Sequence, residues 1–205
     1  MKPLFEYRLK KIARLARGKI LDVGFSLFPN YYLRGEVIGV DITIPDKKPR
    51  NYSSMIKADI CKLPFKDNSI DTIILGGIIE HLENPMAALR EVNRVLKQNG
   101  ILLIETPNPY YLPVILSDLM MHLKFYFYDT HINLFPRRIM LKMLWHCGFS
   151  LNEIEGCGIN LSESLTIPMI QQFSQDLIYI AMKKKAKGKI LGEIRKLRTE
   201  SYEKL

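Results

Sequence analysis

The sequence predicts an α/β domain built on a doubly wound, mostly parallel sheet of seven strands. Short runs rich in Ile, Leu and Val alternate along the chain with stretches whose apolar residues recur at helical spacing. The runs lack the polar/apolar alternation of a half-wet sheet, so they suit strands covered on both faces. Several of them close on an acidic residue or a glycine, at Asp22-Val23-Gly24, Asp41, Asp59 and Gly76-Gly77. Strands alternating with helices are the pattern of a doubly wound sheet.

Each element has its own justification. Leu4, Tyr7, Leu9, Ile12, Leu15 and Ala16 fall at roughly helical spacing between basic residues, which predicts an amphipathic helix ended by Gly18. Lys19 to Gly24 reads as the first strand, Glu36 to Asp41 as the second and Met55 to Asp59 as a short third. Ile70 to Leu75 is the fourth, broken by Gly76-Gly77. Asn84-Pro85 opens a helix with a capping side chain and a proline at its first position. Its apolar face runs through Met86, Leu89, Val92, Val95 and Leu96 until Asn99-Gly100 ends it, and Ile101 to Glu105 is the fifth strand. Residues 107–135 interrupt the rhythm with three prolines and an aromatic block containing Tyr110, Tyr111, Phe125, Tyr126, Phe127 and Tyr128. Pro136 starts another helix through Ile139, Met140, Met143 and Leu144, stopped by Gly148. Phe149 to Glu155 and Leu177 to Met182 close the sheet, with an antiparallel strand near one edge. A single domain is expected, with a basic N-terminal helix at 1–18, a core at 19–182, an aromatic insertion at 107–135 and a basic, helical tail at 183–205.

Composition narrows the function. The net charge of +9 is concentrated at the ends: residues 1–19 and 183–205 each carry +6, leaving −3 for the remainder. A slightly acidic body is not the pattern of a groove for nucleic acid. The basic ends suit docking on an anionic surface, against a plain reading as solvated helical faces. Leu112 to Tyr128 is interrupted by Asp118, His122 and Lys124, so no transmembrane segment is expected. Cys61, Cys147 and Cys157 are odd in number and widely spaced, which argues for free thiols in a cytoplasmic setting and against a zinc framework. No metal site is expected.

The strand ends carry the chemistry. In open α/β sheets, ligands bind outside the carboxyl ends of the strands. Asp41 closes the second strand about 20 residues after the first turn, where a carboxylate can accept both hydroxyls of a ribose. Backbone at Gly24 can approach a ligand without an intervening side chain. Asp59 can accept from an exocyclic amine while Ile60 packs on a ring, and Gly76-Gly77 leaves backbone carbonyls for an ammonium group.

These segments occur in an order that resembles the class I S-adenosylmethionine-dependent methyltransferases, of the type 11-like group that acts on small molecules. The resemblance rests on Leu21-Asp22-Val23-Gly24, Gly39-Val40-Asp41, Ala58-Asp59-Ile60 with Leu63-Pro64-Phe65, and Ile79-Glu80-His81-Leu82. It continues through Asn84-Pro85, Leu89-Arg90-Glu91-Val92, Val95-Leu96-Lys97, Asn99-Gly100-Ile101-Leu102 and His131-Ile132-Asn133-Leu134-Phe135. It implies the Rossmann-like methyltransferase fold, S-adenosylmethionine as cofactor and a small-molecule acceptor. By resemblance, Asp22 and Gly24 contact the methionine portion, Asp41 and Ile42 the ribose side, Asp59 and Ile60 the adenine, and Gly76-Gly77 the ammonium. His81 or His131 would take a proton from the acceptor, and the aromatic insertion would shape an apolar or ring-bearing acceptor pocket, with Tyr110, Tyr128 and Asp129 as further members.

One departure stands out. After Gly24 the family usually continues with further glycines, whereas this chain reads Phe25-Ser26-Leu27-Phe28-Pro29. The first helix after that turn looks about a turn short, and Pro45 and Pro49 erode the next. A second reading follows: a non-catalytic scaffold or binding protein on this fold, whose first-strand mouth Phe25 or Phe28 fills. A nicotinamide-dependent dehydrogenase is disfavoured because the turn lacks G-x-G-x-x-G. Asn108-Pro109-Tyr110 approximates a nucleic-acid methyltransferase motif but follows the fifth strand rather than the fourth.

Overall fold

The computed structural model describes residues 3–120, 131–160, 166–167 and 171–184. The strands are β1 (Lys19–Val23), β2 (Glu36–Asp41), β3 (Ser54–Lys57), β4 (Ile70–Gly76), β5 (Leu96–Pro107), β6 (Phe149–Gly156), β7 (Ile159–Asn160), β8 (Thr166–Ile167) and β9 (Asp176–Lys183). The helices are α1 (Pro3–Leu15), α2 (Pro85–Val95), α3 (Leu112–Met120) and α4 (Arg137–His146). Seven strands form one sheet in the order β3-β2-β1-β4-β5-β9-β6. β1 to β5 pair in parallel, and β9 runs antiparallel to both β5 and β6. This is the doubly wound, mostly parallel sheet expected, with its antiparallel strand next to one edge. β7 and β8 form a separate ribbon.

β1, β2, β4, β9 and the second half of β5 are buried on both faces, as their apolar runs require, while the edge strands β3 and β6 are partly exposed. On one face α2 and α4 pack Ala88, Leu89, Val92, Met140, Met143 and Leu144 against Leu21, Ile73, Leu75, Leu102 and Tyr179. On the other face α1 presents Leu4 and Ile12 to a cluster with Ile20, Ile74, Leu103, Ile178 and Ile180. Burying each such aliphatic side chain contributes about 1.5–3 kcal/mol.

The helices expected between β1 and β2 and between β2 and β3 are absent rather than shortened; residues 24–35 and 42–53 form turns and bends. Their place on the α1 face is taken by side chains from these loops. Phe25, Leu33 and Tyr52 are buried there, and the rings of Phe25 and Tyr52 lie 5.2 Å apart. Phe25 sits so close to Gly39 that a Cβ on that glycine would come within 2.6 Å of its ring.

The other differences are local. β3 stops at Lys57, so Asp59 stands in the following loop. α2 ends at Val95, before Leu96, because Leu96 turns extended and pairs with Ile70. The Lys183 ammonium fixes that change, donating to the Asn93 carbonyl (2.6 Å), the Leu96 carbonyl (2.8 Å) and Asn68 Oδ1 (2.8 Å). The insertion contains helix α3, which its prolines and aromatics did not suggest. Tyr128, Asp129 and the tail beyond Lys184 lie outside the described residues. No helix among the described residues is long and apolar enough to cross a membrane.

Candidate active site

The sheet brings the carboxyl ends of β1, β2, β3, β4 and β5 to one edge, and the charged and glycine positions singled out above stand along it. Asp22, next to last in β1, is buried. Its Oδ2 accepts the hydroxyl of Tyr52, which in turn accepts the Asn30 amide at 2.9 Å. Burial, partly offset by that hydroxyl, pushes the Asp22 carboxyl up to about 6. Gly24 follows with φ +76°, and a Cβ there would meet the Ile78 side chain at 2.0 Å. Phe28, by contrast, is 65% exposed and packs edge-on against Phe5. The β1 mouth is therefore narrowed by Ile78, while Phe25 is committed to the α1 face.

At the end of β2, Asp41 accepts one backbone amide on each carboxylate oxygen, from Ser26 to Oδ2 (3.1 Å) and from Thr43 to Oδ1 (3.2 Å). Ile42 is exposed. Past β3, Asp59 Oδ1 accepts the Cys61 amide at 2.8 Å, and Ile60 is buried in the core. Arg94 of α2 anchors this loop, donating to the carbonyls of Phe65 (2.9 Å) and Leu63 (3.0 Å), while Glu91 accepts the Leu63 amide (2.8 Å). The Leu63-Pro64-Phe65 turn and the α2 charges are thus one device for placing Asp59.

Beyond β4, Gly77 adopts φ +67° and donates its amide to the Glu105 carbonyl at 3.0 Å. A short 3-10 turn, Ile79–His81, follows. The Glu80 carbonyl accepts the amides of Ile132 (3.1 Å) and Asn133 (3.0 Å), and Asn133 Nδ2 donates to the Leu82 carbonyl (2.7 Å). That strap brings the rings of His81 and His131 to 4.6 Å. Burial, then the neighbouring His81, lowers the His131 imidazole.

Sequence reasoning missed the charges under this strap. Glu80, Glu105 and Asp176 are all buried, and Arg8 of α1 reaches Glu105 at 2.8 Å and Asp176 at 3.9 Å. Burial and the facing Glu105 push the Glu80 carboxyl up to about 8, and the same two causes push Asp176 up to about 7. Oε2 of Glu80 and Oε2 of Glu105 are buried without a hydrogen-bond partner. Glu105 was visible as a strand-end acid, but its pairing with Arg8 spans 97 residues and left no local signal. Asn108 also proves to be structural: its Nδ2 donates to the carbonyls of Gln171 (3.1 Å) and Ser174 (2.8 Å), and its Oδ1 accepts the Tyr110 amide (3.0 Å).

Residues 21–104, which take in most of β1, all of β2, β3 and β4, and the positions from Asp22 to His81 described above, match the methyltransferase domain model. The chain is similar to a demethylmenaquinone methyltransferase of Staphylococcus carnosus, at 33% identity over 99 residues, 44% of this chain and 41% of that protein. It is likewise similar to an uncharacterized methyltransferase of Schizosaccharomyces pombe, at 35% identity over 116 residues, 46% of this chain and 41% of that one. The chain thus spans about two fifths of the length of these curated relatives. In fold it is similar to an S-adenosylmethionine-dependent methyltransferase from Thermotoga maritima, described as a possible histamine N-methyltransferase. The TM-score is 0.68 at 20% identity, covering 88% of each chain.

S-adenosylmethionine is the cofactor that a methyltransferase domain implies, and the residues present fit its adenosine half. A carboxylate offers about four acceptor positions. Asp41 spends one on each oxygen, which leaves lone pairs for a ribose diol. The methionine half meets Ile78 over Gly24, so it fits once that side chain turns aside.

Proposed function

We propose that this chain is an S-adenosylmethionine-dependent methyltransferase acting on a small, apolar or ring-bearing acceptor. The observation that carries the reading is Asp41, a strand-end carboxylate held by two backbone amides with acceptor capacity to spare. In this reading Asp41 binds the ribose diol, with Ile42 beside it. Asp59 and Ile60 frame the adenine, and the backbone at Gly24, Gly76 and Gly77 with Asp22 receives the amino-acid tail. When bound, the cofactor supplies an electrophilic methyl group. The protein contributes alignment and exclusion of water, which together account for several kcal/mol of barrier. His81 or His131, held together by the strap from 131 to 133, takes the acceptor proton; burial lowers the His131 imidazole and so favours the neutral form that can accept one.

The acceptor class draws support from two sides. The S. carnosus relative is named for a demethylated quinone, and α3, which follows β5 in the chain, exposes Leu112, Ile115, Leu116 and Leu119. A cytoplasmic location, with the basic ends resting on an anionic surface, suits such an acceptor.

A second reading is favoured by Ile78 lying over Gly24 and by the Asp22–Tyr52 contact: a binding protein that keeps the fold without turnover. Calorimetric titration with S-adenosylhomocysteine separates the two. Charge-assisted hydrogen bonds are worth about 1.5–3 kcal/mol each, so Asp41→Ala should weaken binding by roughly 100-fold or more. Failure of the unmodified protein to bind, with Asp41→Ala indistinguishable from it, would leave the scaffold reading in place.

A further inference from the structure

The strap that joins residues 80–82 to 131–133 assembles more than a pair of histidines. A carboxylate oxygen of Glu80 and one ring nitrogen from each of His81 and His131 lie within 4.8 Å of one another. Two imidazoles and one carboxylate are the donor set of open, three-ligand metal centres. We propose that Glu80, His81 and His131 form a binding site for one divalent transition-metal ion of the zinc class. The proposal departs from the expectation of no metal site, which rested on the cysteines.

Three independent features support the assignment. Glu80 is 2% exposed and its Oε2 has no hydrogen-bond partner, a position that costs free energy unless something answers it. Two further buried carboxyl groups, Glu105 and Asp176, share the single guanidinium of Arg8, whose described ion pairs do not include Glu80, so a bound dication would answer the acidic group that Arg8 leaves. Finally, the frame is already built. Both backbone bonds to the Glu80 carbonyl and the Asn133 bond to Leu82 hold the two ligand segments together.

The donors need only draw in. Zinc bonds of about 2.0–2.2 Å place tetrahedral ligand atoms roughly 3.3 Å apart, so the closure is within reach of side-chain rotation. Two nitrogen donors select zinc, cobalt or nickel over magnesium and calcium, which prefer all-oxygen shells. A tetrahedral ion held by three protein donors keeps one position for water or for an acceptor hydroxyl. That use rests on the methyltransferase reading, whereas the binding itself does not.

The test is titration of the metal-stripped full chain with Co2+, followed by its visible d–d bands, and competition by Zn2+. One equivalent should bind with the intensity of a low-coordinate site, and Mg2+ should not displace it. Loss of outer-shell partners alone costs 10–100-fold in metal affinity, so Glu80→Gln, His81→Ala and His131→Ala should each weaken binding by at least about 100-fold. Cys61→Ser and His146→Ala should leave it unchanged. His131→Gln, at a partly exposed position, keeps the test decisive if Glu80→Gln misfolds. Absence of the bands, retention of full affinity in His131→Gln, or loss of binding in the Cys61 or His146 variants overturns the proposal. Titration with S-adenosylhomocysteine on the same samples reports separately on the methyl-donor reading.

Discussion

Glu80→Gln should reshape the dependence of stability on pH in a calculable way. The folded chain holds the Glu80 carboxyl at about 8, against an ordinary glutamate near 4.3. Between those values the folded protein binds a proton that the unfolded chain has released. Stability therefore falls as pH rises, fully present below about 4 and lost through about 8. At about 1.4 kcal/mol per pH unit the full span is worth up to roughly 5 kcal/mol, and relaxation around the buried charge brings the expectation to about 2–5 kcal/mol. Glutamine keeps the shape without the ionisation. Urea unfolding in the presence of a chelator, from pH 5 to pH 9, should show the unmodified protein losing that amount more than Glu80→Gln, so that the variant is the more stable of the two at pH 9. Asp176, also raised, titrates in both proteins, and because its charge helps to raise Glu80 the comparison reads Glu80 together with that interaction. Parallel curves across the whole range would refute the reasoning, since Glu80 would then not be a buried, proton-holding group.

Tyr52→Phe removes the hydroxyl that the buried Asp22 carboxylate accepts; it should cost about 1–3 kcal/mol in urea unfolding, with the larger loss at pH 8 than at pH 5 because the charged form loses its donor. Gly39→Ala drives a methyl into the Phe25 ring and should destabilise by about 1–3 kcal/mol, with part of the loss recovered in a Phe25→Leu background when melting temperatures are compared. Lys183→Met leaves the Asn93 and Leu96 carbonyls without their donor; a drop of about 1–3 kcal/mol is expected, and faster amide exchange at the α2–β5 junction should accompany it.

The strands were readable because burial on both faces writes itself as unbroken Ile, Leu and Val runs, and all seven sheet strands stand where those runs lie. Asn84-Pro85 announced α2 for a local reason as well, and Asn84 does cap it by accepting the Ala87 amide at 3.0 Å. Where the outcome depended on distant partners the sequence was silent. The loops after β1 and β2 are held without helices because Phe25, Leu33 and Tyr52 reach the sheet themselves, a tertiary solution that periodicity cannot register. Among the site residues, Asp22, Gly24, Asp41 and Gly77 were found as strand-end positions. Ile78, Tyr52 and Arg8 were not, since an apolar side chain over a glycine, a phenol 30 residues from its carboxylate and a helix cation 97 residues from its acid have no spacing rule. Glu80 was hidden differently: it adjoins His81 in a quoted motif, yet only the fold shows that its carboxylate turns inward.

The ties of α1 to the far end of the chain bear on how the molecule is made. This helix leaves the ribosome before the strands it packs on, but Arg8 pairs with Glu105 and Lys11 donates to the Gly156 carbonyl, 97 and 145 residues later. At a synthesis rate of 5–20 residues per second, the Lys11 contact waits about 7–30 s. Until β9 follows, Leu4 and Ile12 lack Ile178 and Ile180, the part of their cluster that β9 supplies, and the nascent chain exposes part of the stripe that later closes the sheet. A ribosome-stalled chain ending before Asp176 should accordingly be cut within α1 by a protease that spares the released protein, which makes the last strand of the sheet the latch for its first helix.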